Sequence, residues 1–121
     1  MKLLLGILTL SLVVLVAAAR VSAHAFLEHS DPSVGSKVHS APEAVRMWFT
    51  EAIEPRFSSI QVFDAAGKQV DKKDTHSDPA SRSVLQVSLP RLGSGRYKVV
   101  WRIVSVDTHR TNGDFTFQIV P

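Results

Sequence analysis

Apolar and polar residues alternate along most of the chain after residue 24, and this two-residue period is typical of half-buried β-strands. The longest alternating segment begins at Gly95 and is rich in β-branched and aromatic residues. Its predicted inward face consists of Tyr97, Val99, Trp101 and Ile103. We therefore expect a long, rigid strand here, with the segment Asp107-Thr108-His109 in the loop that follows it.

Shorter segments of the same kind predict further strands at 24–30, 45–50, 58–64, 69–70, 84–89 and 114–120. Clusters of turn residues separate these segments, whereas the polar stretch 71–83 is predicted to be a solvated loop. No apolar period of 3.6 residues is sustained after residue 23, and Met47 falls on a predicted inward face. The pattern indicates one all-β domain, a sandwich or barrel of about seven strands with Greek-key connections.

The first 23 residues have the features of an export signal. Lys2 precedes an apolar run that ends in Val21-Ser22-Ala23, with small residues where a signal peptidase recognises its substrate. We predict a cleaved signal peptide at 1–23 and a mature domain at 24–121 that does not span the membrane. The alternatives are retention of the run as an anchor and cleavage after Ala19, which would leave Arg20 at the amino terminus.

Charge and composition exclude several classes of function. Cleavage would remove Lys2 and Arg20 from 14 basic residues, against 11 acidic ones, so the mature domain is nearly neutral. No basic stripe with interleaved aromatic residues is present, and we expect no nucleic-acid partner. The absence of cysteine excludes disulfides, thiolate metal ligands and a cysteine nucleophile.

Asp107 and His109 are the first candidates for chemistry. They stand two positions apart, so an extended backbone would direct both side chains to the same side, within reach of one metal ion. The same tripeptide recurs at Asp74-Thr75-His76, inside the predicted polar loop, and therefore has little weight by itself. We expect His76 to be solvated, because metal sites need fixed geometry.

His24 supplies the remaining donors if cleavage follows Ala23. A histidine at a free amino terminus offers both its α-amine and its ring Nδ1 to one ion. With His109 and Asp107, the set contains three nitrogens and one oxygen, which suits the tetragonal preference of Cu(II) better than a structural zinc site. We therefore predict one Cu(II) ion per chain, bound more weakly as the pH falls and protons compete for the amine.

The mature sequence resembles the CopC family of periplasmic copper-binding proteins over nearly its whole length. The resemblance lies in these motifs: His24-Ala25-x-Leu27; Ser30-x-Pro32; Phe49-Thr50-Glu51; Leu92-x-x-Gly95-x-Tyr97-x-Val99-x-Trp101-Arg102; and Ser105-x-Asp107-x-His109-x-x-x-Gly113-x-Phe115-x-Phe117. The terminal histidine combined with the Ser-x-Asp-x-His motif is specific, whereas the Gly-x-Tyr and Phe-x-Phe elements are ordinary strand sequence.

The resemblance implies an immunoglobulin-like Greek-key fold, with Cu(II) held by His24, Asp107 and His109 and with Glu51 as a possible hydrogen-bonding partner of these ligands. It also implies the periplasm as location and a CopD-like inner-membrane protein as partner, and we expect the protein to be a monomer. The chain departs from methionine-rich members of the family, since Met47 is its one methionine after the signal, and we expect no separate Cu(I) site. Arg110 stands where many members have proline.

Three functions are compatible with these residues. The leading hypothesis is a non-enzymatic protein that buffers or carries Cu(II) for copper homeostasis or resistance. The second is an oxidative copper enzyme with a histidine brace, similar to polysaccharide monooxygenases, although those domains are usually larger and have a flat aromatic platform. The third is a metal-free exported β-sandwich that serves as an interaction module.

Overall fold

The computed structural model describes residues 25–121, and these residues form two mainly antiparallel β-sheets packed face to face. The predicted signal peptide and His24 lie outside the described residues. The strands are β1 (Leu27–Asp31), β2 (Lys37–Val38), β3 (Ala44–Phe49), β4 (Ser59–Phe63), β5 (His76–Asp78), β6 (Ser81–Ser88), β7 (Gly95–Val104) and β8 (Arg110–Ile119). A short 3-10 helix, Pro55–Phe57, precedes β4.

The two sheets have the strand orders β1-β3-β6-β5 and β2-β8-β7-β4. The chain crosses between the sheets after β1, β2, β3, β4 and β6, so most strands that follow one another in sequence lie in different layers. The all-β sandwich predicted from the alternation is confirmed. No helix within residues 25–121 has the length and apolar composition needed to cross a bilayer.

The core lies between the sheets and is built from the alternating positions. Inward residues of β7 and β8 are buried as predicted, and Met47 on β3 has no exposed surface. The aromatic members of the core pack in pairs: Phe49 lies edge-on to Trp101 at 5.5 Å between ring centroids, and Tyr97 stacks on Phe117 at the same distance. Because the chain has no cysteine, this apolar packing holds the two sheets together without disulfides.

The long hairpin of β7 and β8 is the most extensive strand pairing within residues 25–121. Its register runs without interruption from Gly95 opposite Ile119 to Val104 opposite Arg110. The sequence predicted the last strand only from Asp114, because residues 110–113 lack apolar alternation. The strand begins at Arg110 because pairing with β7 satisfies the backbone of these polar residues, a long-range effect that local composition does not show.

Three further strand assignments differ from the predictions. The pair Lys37–Val38 forms a short parallel strand beside β8 that the sequence did not indicate. The predicted strand at 69–70 is reduced to an isolated bridge between Gln69 and Phe63 of β4, beside which Val70 N donates to Val62 O at 2.8 Å. The predicted loop at 71–83 contains β5 and the beginning of β6, since its polar residues form the edge of the first sheet.

Gly113 gives a testable prediction about the hairpin. A Cβ atom at this position would lie 2.6 Å from Cζ2 of Trp101, the residue opposite Gly113 in the β7–β8 register. We expect Gly113→Ala to lower the free energy of unfolding by about 1–3 kcal/mol, the usual cost of overpacking. Urea denaturation followed by tryptophan fluorescence measures the change.

Gly93→Ala is the matched control, because no atom lies within 4 Å of a Cβ built at that position. This control should leave stability within about 0.5 kcal/mol of the original value, as expected for an exposed substitution. Equal stability of the Gly113→Ala and Gly93→Ala proteins would contradict the proposed steric role of Trp101.

Candidate metal centre

The loop that joins β7 to β8 has a defined hydrogen-bonded turn. Thr108 N donates to Ser105 O at 2.8 Å, and Ser105 N donates to His109 O at 3.0 Å. Thr108 has a φ of 72°, in the left-handed region. A tight turn followed by one left-handed residue is a common closure for a hairpin with a short loop. The loop is therefore fixed by its own backbone as well as by the two strands.

This turn brings Asp107 and His109 together. Asp107 Oδ1 lies 3.3 Å from His109 Nδ1. The sequence-based explanation for this proximity was wrong, because the extended conformation ends at Val104 and does not persist through the loop. Ligands that occupy adjacent positions around one metal ion, with bonds of about 2.0–2.2 Å, lie about 3 Å apart. The observed separation is thus close to that of two donors to a single ion.

Ser105 orients the carboxylate of Asp107. The serine is completely buried, and its hydroxyl donates a short hydrogen bond to Asp107 Oδ1. This hydrogen bond is the main reason that the pKa of Asp107 lies below its ordinary value; partial desolvation opposes the shift, and His109 adds to the lowering. The carboxylate is therefore ionised, as a metal ligand must be, over the whole neutral range.

The segment after β3 supports the loop from the other sheet. Ile53 forms an isolated antiparallel bridge with Ser105, and Val106 N donates to Ala52 O at 3.1 Å. Glu51, the predicted hydrogen-bonding partner of the metal ligands, immediately precedes Ala52 and is half-buried. Ala52 thus contacts the candidate site through its backbone, whereas the role of the Glu51 side chain stays a prediction.

The beginning of the described chain lies beside the same loop. Thr111, two residues after His109, donates through its hydroxyl to Ala25 O at 2.9 Å. Ala25 is buried, and Phe26 exchanges hydrogen bonds with Thr50, donating its N–H to Thr50 Oγ1 and accepting from Thr50 N, each at 2.9 Å. The amino-terminal segment is consequently fixed at the end of the sandwich where Asp107 and His109 are exposed.

His76 has a different environment from His109, although it belongs to the same tripeptide. The expectation of a solvated loop was wrong: His76 is the first residue of β5, and its ring lies between two polar groups. Nδ1 is 2.6 Å from Asp74 O, and Nε2 is 2.9 Å from Nε2 of Gln86. The side chain is exposed, as expected, but both ring nitrogens already have partners within the sheet edge.

The remaining described histidines lie apart from the loop. His29 on β1 stacks on Trp48 with ring centroids 4.3 Å apart, and His39 Nδ1 is 3.5 Å from Pro121 O. Within residues 25–121, no three His, Asp or Glu side chains converge in a metal-binding group. The structure therefore brings together two of the three predicted ligands, Asp107 and His109, and the third, His24, lies outside the described residues.

Sequence reasoning missed the residues that hold the site in place. Ser105 entered only as part of a motif, and Thr111 did not enter at all. A buried serine between a long strand and an acidic turn residue is a weak signal for a carboxylate-orienting hydroxyl. The bond from Thr111 to Ala25 joins residues 86 positions apart, and no local pattern indicates it.

The fold and this exposed Asp-His pair define a β-sandwich with a candidate metal site at one end. Comparison with known proteins shows the family to which this β-sandwich belongs. The CopC domain model matches residues 27–120 of the chain, which therefore belongs to the CopC family of copper resistance proteins.

Individual relatives agree with this assignment. Protein YobA of Escherichia coli K12 is 34% identical over 116 residues, covering 95% of this chain and 90% of the relative. Copper resistance protein C of Escherichia coli is 35% identical, with 94% of each chain covered. The crystal structure of CopC from Methylosinus trichosporium OB3b superposes with a TM-score of 0.76 at 32% identity, covering 81% of this chain and 95% of that structure.

The buried hydroxyl of Ser105 generates a prediction about protonation. Ser105→Ala removes the hydrogen bond that most lowers the pKa of Asp107, so the pKa of this carboxyl should rise. A carboxyl group whose pKa is lower in the folded state stabilises the fold at pH values above its unfolded-state pKa. This contribution of Asp107 is lost as the pH falls through its lowered pKa. In the variant this loss should begin at a higher pH.

Carbon-detected NMR titration of the side-chain carboxyl groups measures the change. The control is Ser94→Ala, which changes an exposed serine in the turn before β7 and should leave the pKa of Asp107 unchanged. An Asp107 midpoint that is the same in Ser105→Ala and in the original protein would show that the hydroxyl does not stabilise the ionised carboxylate.

Proposed function

We propose that this chain is a periplasmic protein that binds one Cu(II) ion through His24, Asp107 and His109, and that it buffers or carries copper without catalysing a reaction. The single observation that supports this most is the 3.3 Å contact between Asp107 and His109 at the end of the sandwich where the chain enters β1. Membership of the CopC family favours copper over other metals.

The position of Ala25 supports the inclusion of His24. The carbonyl of Ala25 accepts from Thr111, close to the end of the loop that presents His109. Consecutive Cα atoms are about 3.8 Å apart, so the residue bonded to Ala25 joins the domain next to this loop. A metal ion at Asp107 and His109 is thus within reach of a ligand supplied by the preceding residue.

The proposed ligand set requires proteolytic maturation. Cleavage after Ala23 would give His24 a free α-amine, which together with the ring Nδ1 forms a bidentate chelate. Imidazole and amine nitrogens suit Cu(II), which prefers a tetragonal arrangement that three nitrogens and one carboxylate oxygen can supply. In this proposal the protein reaches the periplasm with residues 1–23 removed and functions as a monomer.

Carriage agrees with the accessibility of the two described donors. The side chains of His109 and Asp107 are 46% and 37% exposed, so an ion bound there would lie near the surface. An exposed ion can be exchanged directly with another protein by ligand substitution, whereas a structural ion is normally enclosed by its ligands. The proposed recipient or donor is a CopD-like inner-membrane protein, and Glu51 is proposed to hydrogen-bond the ligands.

The terminal amine gives the most direct test. Protein that begins at His24 should bind Cu(II) at least about tenfold more tightly than the same protein with one glycine added before His24. The reason is that removing even a group that hydrogen-bonds a metal ligand lowers metal affinity roughly 10–100-fold. Competition titration against a chelator of known affinity measures the difference. Equal affinities would contradict a role for the terminal amine.

The two Asp-Thr-His tripeptides provide a matched pair of variants. His109→Ala should remove the hyperfine coupling of one nitrogen from the Cu(II) EPR spectrum and lower affinity by at least about tenfold. His76→Ala should leave both unchanged, since the His76 ring is bound to Asp74 and Gln86 at the sheet edge. An unaltered spectrum in His109→Ala would remove that residue from the site.

A further inference from the structure

A groove beside the Asp107–His109 loop contains three arginines without acidic partners. It lies between the 3-10 helix at Pro55–Phe57 and the adjoining ends of β4, β7 and β8, and its basic residues are Arg56, Arg102 and Arg110. All three are exposed. No acidic side chain lines the groove, and among residues 25–121 no ion pair involves any of these arginines.

The sheet register explains why these charges lie side by side. Arg102 on β7 is paired with Ser59 on β4 and with Asn112 on β8, so the three side chains form one row across the outer face of the second sheet. Arg110 lies two residues before Asn112 and faces the same side. The acidic residue next along this face, Asp114, is opposite Val100, beyond the groove. The residues that line the groove therefore carry three positive charges and no negative one, although the predicted mature domain is nearly neutral.

Exposed apolar residues surround the same end of the sandwich. Phe57, on the wall of the groove, is 68% exposed, and the guanidinium of Arg56 lies 5.9 Å from its ring centroid. Val106 in the metal loop and Phe26 at the start of the described chain are exposed as well. Arginine and aromatic residues are enriched at the centres of protein interfaces, where they act as binding anchors.

We propose that this groove is a docking site for a carboxylate-rich segment of the protein that exchanges copper with this chain. The proposal rests on the proposed copper function and adds the chemical class of the partner. Arg110 immediately follows His109, so a segment seated in the groove would place its protein against the exposed metal ligands. Arginine binds carboxylates through paired N–H donors, and Phe57 offers an apolar contact beside them.

The shape of the groove favours a protein segment over a lipid surface. Arg102 lies on the sheet, between the 3-10 helix on one side and the start of β8 on the other. A protruding acidic segment can enter this concave space, whereas a flat bilayer would contact only its rim. Anionic membranes therefore serve as the competing outcome of the test.

The test uses protein expressed from the full-length sequence and a fluorescent polyglutamate peptide, with a polyglutamine peptide for comparison. The groove variant is Arg56→Ser/Arg102→Ser, which leaves the metal loop and Arg110 intact. The matched control is Arg96→Ser/Lys98→Ser, because both residues are exposed on the same face of β7 and the loss of charge is identical. Fluorescence anisotropy gives affinities at low salt and at about 0.15 M salt, where charges more than about 8 Å apart are screened.

We expect the original protein to bind polyglutamate and not polyglutamine, and the groove variant to bind about fivefold more weakly, since each exposed arginine–carboxylate pair contributes up to a few-fold in affinity. The control should change affinity by less than twofold. Backbone NMR shifts on adding the peptide should centre on Ser59, Arg102 and Asn112. Equal weakening by both double variants, or no binding at low salt, would overturn the proposal.

Two further measurements separate the alternatives. Tighter binding to vesicles of phosphatidylcholine and phosphatidylglycerol in a two-to-one ratio than to the peptide would assign the groove to a membrane and overturn the proposal. Cu(II) affinity should be equal in the original protein and the groove variant. Failure of Cu(II) binding in the original protein contradicts the proposed function, whereas loss of peptide binding with Cu(II) binding intact contradicts only the docking proposal.

Discussion

The uninterrupted pairing of β7 with β8 is the constraint on which the rest of the structure depends. Ten consecutive residue pairs hold the two strands in one register, from Gly95 opposite Ile119 to Val104 opposite Arg110. The close approach of Trp101 to Gly113 favours this register, because a one-residue slip would place a larger residue against the indole ring. The loop at the end of the hairpin therefore has little freedom in where it begins and ends.

That restriction is what gives the Asp107–His109 pair its geometry. With Val104 and Arg110 paired, the five intervening residues must close a tight turn, and Thr108 adopts a left-handed conformation to do so. This conformation costs a β-branched residue about 1–2 kcal/mol, which the ladder on either side offsets. The buried hydroxyl of Ser105 then orients the carboxylate within the turn. Strand pairing, turn strain and one side-chain hydrogen bond together produce a two-donor site.

Strands with one buried face could be predicted, because their apolar residues alternate with polar ones along the sequence. Tyr97, Val99, Trp101 and Ile103 were assigned to the core from their two-residue period, and all are buried. Polar strands were not predictable, since β5 and the first residues of β8 owe their conformation to partners distant in sequence. The candidate site divides in the same way. The residue types of Asp107 and His109 suggested metal binding, but their proximity arises from a turn that the extended interpretation did not contain.

The contrast between His109 and His76 shows why identical tripeptides differ in their suitability for binding a metal ion. Both histidines follow Asp-Thr, and both are exposed. The ring of His76 lies between a backbone carbonyl and Gln86, whose Oε1 in turn accepts from Arg46 Nε at 2.8 Å, so a metal ion would have to displace a connected polar network. The ring of His109 instead faces a carboxylate held by a buried serine, beside the segment that begins at Ala25. Surroundings supplied by the fold, more than the motif, therefore distinguish a candidate ligand from a histidine that stabilises a sheet edge.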